Sequence, residues 1–248
     1  MAIGIRMADL PPPPPGLLDG AALFLDFDGT LVELAETPDA IHVPAELGAT
    51  LARLKARLGG RIAIVSGRSI EDLETHLPRP AIAFSGSHGL EIRLAGGDAL
   101  PLSLPVGLDP RIAVEVAAFA DARPGLLAEA KPLGVALHYR LAPGEADAVA
   151  RFMEGVARRH DLRVQHGNMV VELRPEGATK GDAVRAFMSE PIFADARPVF
   201  VGDDLTDEHG FEAAAGLGGA GVLVGPARPT AAAYRLGSVA AVARWLNQ

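Results

Sequence analysis

"ALFLDFDGTLVEL", Ala22–Leu34, is the stretch on which the fold turns. Four apolar residues, Ala22 to Leu25, run directly into Asp26, and Asp28, Gly29 and Thr30 follow within four positions. An uninterrupted apolar run bounded in this way reads as a strand buried on both faces, the signature of a parallel sheet. A carboxylate at the end of such a strand is costly unless it is paired or bound to a metal. Taken alone, the Asp-Gly pair also fits a simple turn closing the strand. A Ca²⁺ loop is another reading of "DFDG", but the stretch lacks a third Asp or Asn before the glycine and follows a strand where a helix should stand.

Length and composition set the frame. The 248 residues are 49% apolar, enough for one large or two small domains with a proper core. The absence of cysteine excludes a disulfide frame and any thiolate ligand or nucleophile. A formal net charge of −8 argues against a nucleic-acid partner. No apolar run approaches the ~20 residues that span a bilayer. The N-terminal "MAIGIRMADLPPPPPG" lacks the apolar core of a signal peptide, so no membrane partner and a cytoplasmic location are expected. Residues 1–20 read as a proline-rich leader, with Pro11 to Pro15 a stiff, extended and inert tail.

From the opening strand outward, strand-like and helix-like segments alternate. "PAELGATLARLKARL" and "SIEDLETHL" have helical spacing, the second opening at Ser69. "RIAIVSG", "AIAFSGSHG", "PVFVGDD" and "AGVLVG" are further buried strands. This is an α/β pattern with a Rossmann-like parallel sheet covered on both faces. The middle differs: "DPRIAVEVAAFADA" reads as a helix, "GLLAEAKPLGVALHYRL" as two strands bent at 132–134, "PGEADAVARFMEGVARRH" as a helix, and "LRVQHGNMVVELRP" as two strands. Helix-strand-strand, repeated, describes an inserted α+β unit. The expected division is a core domain over 21–104 and 176–248 and a cap over 105–175, with hinges in "LPLSLPVG" (100–107) and "RPEGATKG" (174–181). "GLGGAG", Gly216–Gly221, matches a dinucleotide-loop pattern but follows a helix and precedes a strand, so it reads as a helix-to-strand turn.

Ligands of open parallel sheets bind outside the carboxyl ends of the strands. Asp26 and Asp28 follow the first strand, Ser66-Gly67-Arg68 the second, and Gly202-Asp203-Asp204 the one that Lys180 precedes. Two residues apart, Asp26 and Asp28 point to one side for as long as the pleat lasts. Carboxylates with room for water suit Mg²⁺; Ser and Lys suit a phosphate.

"DFDGT", "SGR", Lys180 and "GDDLTD", in this order, resemble the four motifs of the haloacid dehalogenase superfamily of aspartate-nucleophile phosphotransferases. "GSHGLEIR", "E-x-K-P-x-x-x-x-L-H-Y-R", "VVELRP", "TKGDAV" and "FVGDDLTDE" extend the resemblance to its trehalose-6-phosphate phosphatases, from about Leu23 to Val224. That resemblance implies the haloacid dehalogenase type of core, a cap that reads the sugar, and Mg²⁺-dependent hydrolysis of a small-molecule sugar phosphate. It implies Asp26 as nucleophile, Asp28 as general acid and base, Ser66 on the phosphoryl oxygens and Lys180 as balancing charge. Asp26, the Asp28 carbonyl and Asp203 would hold the metal, with Asp207 steadying it from outside. Thr30, Arg68, His88, Glu129, Lys131, Arg140 and Glu172 fall to the substrate, as does His138 more loosely.

Simpler roles remain open for these residues. Asp203, Asp204, Asp207 and Glu208 fit a solvated helix start, and Ser66 a helix entry. Lys180 fits an ordinary surface lysine. Glu129, Lys131, Arg140 and Glu172 fit an exposed sheet face with cross-strand ion pairs. Within the resemblance, a phosphatase of sucrose phosphate or mannosyl phosphoglycerate is the near rival. A phospho-aspartate signalling module is the rival from another class.

Overall fold

The computed structural model describes residues 10–35, 37, 40–77, 82–98, 108–131, 133–175 and 179–248. Its strands and α-helices, in chain order, are β1 (Ala21–Leu25), α1 (Leu47–Arg57), β2 (Ile62–Val65), α2 (Ile70–His76), β3 (Ala83–Gly86), β4 (Glu91–Arg93), α3 (Pro110–Asp121), β5 (Leu127–Lys131), β6 (Gly134–His138), α4 (Ala146–His160), β7 (Arg163–Gly167), β8 (Val170–Arg174), α5 (Lys180–Met188), β9 (Arg197–Gly202), α6 (Glu208–Gly216), β10 (Ala220–Val224), β11 (Tyr234–Leu236) and α7 (Val239–Leu246). The chain divides into two compact units, residues 1–102 with 178–248, and residues 103–177. The hinge segment 100–107, residues 176–178 and Pro132 of the expected bend lie outside the described residues.

In the first unit a seven-stranded sheet runs β11-β10-β9-β1-β2-β3-β4. All neighbours are parallel except β3 and β4. The pleat sends alternate residues of β1 to opposite faces. Leu23 and Leu25 pack with Leu51 and Leu54 of α1, Leu73 of α2 and Trp245 of α7. Ala22 and Phe24 pack with Val184 and Phe187 of α5 and Phe211 of α6. β1 is therefore buried on both sides, as its apolar run requires, and its carboxyl end opens between β2 and β9. The "GLGGAG" stretch is a helix-to-strand turn: Gly216 ends α6, Gly218 takes φ +79°, and β10 starts at Ala220.

The leader departs from expectation. Leu10 and Leu18 are buried in the apolar clusters of the first unit. The Pro11 carbonyl accepts the Arg235 N–H of β11 at 3.0 Å. The proline tract is thus no free tail. Its apolar flanks anchor it, and a PPII segment leaves its carbonyls available to a sheet edge that would otherwise stand open.

The second unit is a four-stranded antiparallel sheet, β5-β6-β8-β7. Ile112 and Val116 of α3 and Val149, Met153 and Val156 of α4 cover the face that carries Val135, Leu137, Val171 and Leu173. The opposite face is polar. There Glu129, Ala136, Glu172 and Gln165 stand in one row across the strands. Among the described residues no helix is long and apolar enough to cross a membrane.

Candidate active site

Asp26 lies one residue past the end of β1, and its N–H continues the pairing with β9 by donating to the Val201 carbonyl at 2.9 Å. Lys180 opens α5, whose start is fixed by a capping box between Thr179 and Asp182. Its Nζ donates to Asp26 Oδ1 at 2.7 Å and to Asp207 Oδ1 at 2.6 Å, and all three residues are buried. Burial by itself lowers the pKa of such a lysine, but the negative Asp207 and Asp26 and their hydrogen bonds outweigh it and keep the ammonium charged. A buried, paired lysine is not a surface lysine.

Asp203 completes the cluster. One carboxylate oxygen from each of Asp26, Asp203 and Asp207 falls within 4.8 Å of the others. Burial, then the negative Asp207, push the Asp203 carboxyl up to about 7. Asp26 is raised for the same two reasons against the pull of Lys180. Asp207 is held at both ends, since its Oδ2 accepts the Asp204 N–H at 2.9 Å. Asp203 Oδ1, by contrast, is shielded from solvent and has no hydrogen-bond partner among the described residues. Three clustered carboxylates, two of them bonded to one ammonium, with a shielded Asp203 oxygen that has no hydrogen bond among the described residues, match what a divalent cation with hard oxygen ligands requires. Gly29 is needed here for two reasons: its φ is +79°, and a Cβ on it would overlap the Asp203 carboxylate.

Asp28 has a different partner. Strand geometry ends at Leu25, and the Asp28 carboxylate is gripped by Arg68 through Nε to Oδ2 at 2.7 Å and Nη2 to Oδ1 at 2.9 Å. Arg68 is itself anchored by Asp72 of α2 at 2.7 Å. Ser66, 1% exposed, follows β2 and accepts the Arg68 N–H on its Oγ at 3.1 Å, which leaves the hydroxyl proton to donate. His88 sits beside it. Its N–H donates to the Ser66 carbonyl at 2.9 Å, and a side chain on Gly67 would collide with its ring. Ser87 and His88 both adopt left-handed backbone, φ 49° and 56°. Strain of this kind gathers at functional sites. Thr30 is fully buried, and its hydroxyl has no partner among the described residues.

In the second unit the polar face is laced with ion pairs. Lys131 Nζ donates to Glu172 Oε2 at 2.7 Å, and His138 Nε2 meets Glu129 Oε2 at 2.8 Å. Burial would raise the Glu129 pKa, but the His138 hydrogen bond and the positive Lys131 bring it below its ordinary value. Arg140 stands apart from this row. It lies beyond the end of β6 and donates to the Asn168 carbonyl, in the turn between β7 and β8, at 3.0 Å. Arg174, 2% exposed, closes β8 and was not singled out in the sequence, although "VVELRP" contains it. Glu208 was read only as part of a solvated helix start, while Arg228 carries no motif at all.

A sequence model of the family described as trehalose-phosphatase matches residues 24–239. A probable trehalose-phosphate phosphatase of Sinorhizobium fredii is 42% identical over 224 residues, 90% of this chain and 83% of the relative. The trehalose-6-phosphate phosphatase of Escherichia coli is 37% identical over 227 residues, 91% and 85% of the two chains. The solved C-terminal domain of a C. albicans trehalose-6-phosphate phosphatase superposes with a TM-score of 0.84 at 25% identity, over 98% of each chain. A haloacid dehalogenase-like hydrolase of B. subtilis shares the fold at a TM-score of 0.63 and 16% identity, over 92% of this chain and 99% of that one. With its strand-end motifs assembled at one sheet edge and a family match across most of its length, the chain belongs to the trehalose-phosphatase family.

Proposed function

We propose that this chain is a Mg²⁺-dependent phosphatase that hydrolyses trehalose 6-phosphate to trehalose and phosphate, with Asp26 as nucleophile. The observation that carries the chemistry is Lys180 bridging Asp26 and Asp207 beside the Asp203 Oδ1, which has no hydrogen bond among the described residues. The substrate rests on the names of the relatives. Asp26, Asp203 and the main-chain carbonyl of Asp28 would hold the cation, and Asp207, both of whose oxygens are engaged, would orient Lys180 instead. When bound, Mg²⁺ supplies positive charge against the phosphoryl oxygens.

The residues then divide the work. A carboxylate oxygen of Asp26 attacks phosphorus while the bond from phosphorus to the sugar oxygen breaks, and that oxygen takes a proton from Asp28. Water next attacks the aspartyl phosphate and gives its proton to Asp28, releasing phosphate and restoring Asp26. Lys180 and the Ser66 hydroxyl stabilise the phosphoryl charge in both steps. Arg68 holds both carboxylate oxygens of Asp28 and so fixes where this acid-base group stands. Lys131, Glu129 and Glu172 present charged groups suited to sugar hydroxyls.

Phosphate release from trehalose 6-phosphate, sucrose phosphate, mannosyl phosphoglycerate and an aryl phosphate tests this. Trehalose 6-phosphate should show the highest kcat/KM. Preference for another sugar phosphate keeps the mechanism and refutes the substrate. A phospho-aspartate that forms without turnover points to the signalling class.

A further inference from the structure

The segment that follows β10 supplies a contact that no motif contains. Arg228 reaches the loop after β9, where its Nη2 donates to the Asp204 carbonyl at 2.8 Å and the Asp203 carbonyl at 3.3 Å. Its Nη1 pairs with Glu208 and donates to the Pro229 carbonyl at 3.3 Å. Glu208 is braced in turn, for its Oε2 accepts the Thr230 hydroxyl at 3.1 Å and the Ala231 N–H at 2.8 Å. One guanidinium thus grips two successive peptide carbonyls and is itself held by a carboxylate fixed to its own segment.

The consequence falls on Asp203. Its Oδ1 has no hydrogen bond among the described residues, and the Gly29 backbone packs directly against its carboxylate. With no hydrogen bond at Oδ1 among the described residues, the aim of that oxygen depends on the main chain, which Arg228 holds there. We infer that Arg228, braced by Glu208 and Thr230, is a positioning residue for the divalent cation: it fixes the peptide planes that aim Asp203, and so sets cation affinity without touching cation or substrate. A guanidinium suits the task because its planar fork turns Nη2 to the two carbonyls while Nη1 pairs with Glu208. Removing an outer partner of a metal ligand typically weakens affinity by about 10–100-fold.

The inference rests on the cation being held by Asp26 and Asp203, and the test keeps the two apart. Arg228→Ala, Arg228→Lys, Thr230→Val and Asp203→Asn are titrated with Mn²⁺, followed by loss of the free-ion EPR signal, alongside the Mg²⁺ dependence of turnover. Arg228→Ala should raise both the Mn²⁺ dissociation constant and the half-saturating Mg²⁺ by about tenfold or more, with kcat at saturating Mg²⁺ within about threefold of the parent. Arg228→Lys should fall between, and Thr230→Val should shift the same way by less. Should Arg228→Ala fail to fold, Arg228→Lys decides. Unchanged Mn²⁺ affinity in both folded Arg228 variants overturns the inference, whatever happens to turnover, because a role confined to the fold would do that. Unchanged affinity in Asp203→Asn overturns the cation assignment and the inference with it.

Discussion

Asp26 and Lys180 separate charge from shape at a single position. Asp26→Asn keeps the outline of a buried side chain and removes a carboxylate that burial and Asp207 already disfavour. Phosphate release should disappear while the thermal midpoint stays level or rises; turnover near that of the parent would end the nucleophile assignment. Lys180→Met is the converse. It withdraws the ammonium from two buried carboxylates, a break that costs about 3–5 kcal/mol, so the midpoint should fall along with activity. At this scale the sequence was most informative, because Asp26, Ser66, Lys180 and Asp203 must each follow or precede a particular strand and each is a chemically distinctive residue. Arg228 escaped for a physical reason. It acts on the main-chain carbonyls of residues 24 and 25 positions away, and a carbonyl leaves no mark in a sequence. Arg68 was assigned to the substrate, while its observed partners are Asp28 and Asp72.

Among the elements, the long buried strands and the amphipathic helices other than α7 announced themselves, and the inserted helix-strand-strand repeat was legible from periodicity. β4 and β11 were missed. Each is three residues long, "EIR" and "YRL", too short to display alternation, and each exists because a neighbouring strand offers its edge. The leader was misread because a run of prolines says nothing of the Leu10 and Leu18 that dock it. On the polar face of β5, β6 and β8 the ion pairs are Lys131 with Glu172 and His138 with Glu129, and the sugar contacts are a proposal. Lys131→Met alone removes the charge that offsets Glu172, whose side chain is 8% exposed, so it should destabilise the protein. Lys131→Met with Glu172→Gln should recover much of that stability yet leave kcat/KM for trehalose 6-phosphate at least about tenfold down, with an aryl phosphate far less affected. Parallel loss on both substrates would confine the pair to a structural role. Glu129 gives the face a pH signature. Its folded pKa lies below the ordinary 4.5, so its contribution is complete above 4.5 and lost as pH falls through the lower folded value. The thermal midpoints of parent and Glu129→Gln should differ at neutral pH and converge in acid; a gap that persists at pH ~2 would contradict this.

For the whole molecule, the unbalanced carboxylates make the native state a candidate cation acceptor. Mg²⁺ should raise the thermal midpoint, and go on raising it with the logarithm of its concentration above the dissociation constant; chelation should abolish turnover, and Asp203→Asn should show no such rise. A cation-independent midpoint in the parent would argue against the site. The strand order carries a further consequence. β1, central and apolar, needs β9 as a neighbour, and Asp26 meets its lysine across 154 positions of chain. A ribosome adding about 5–20 residues per second needs roughly 8–30 s to cover that distance. Throughout that interval the nascent chain displays β1 with one flank bare, whereas residues 103–177 are contiguous and can close on themselves first. Hydrolytic competence thus arrives only once β9 has been made, and a message broken before β9 yields a polypeptide that is both inert and a client for chaperones.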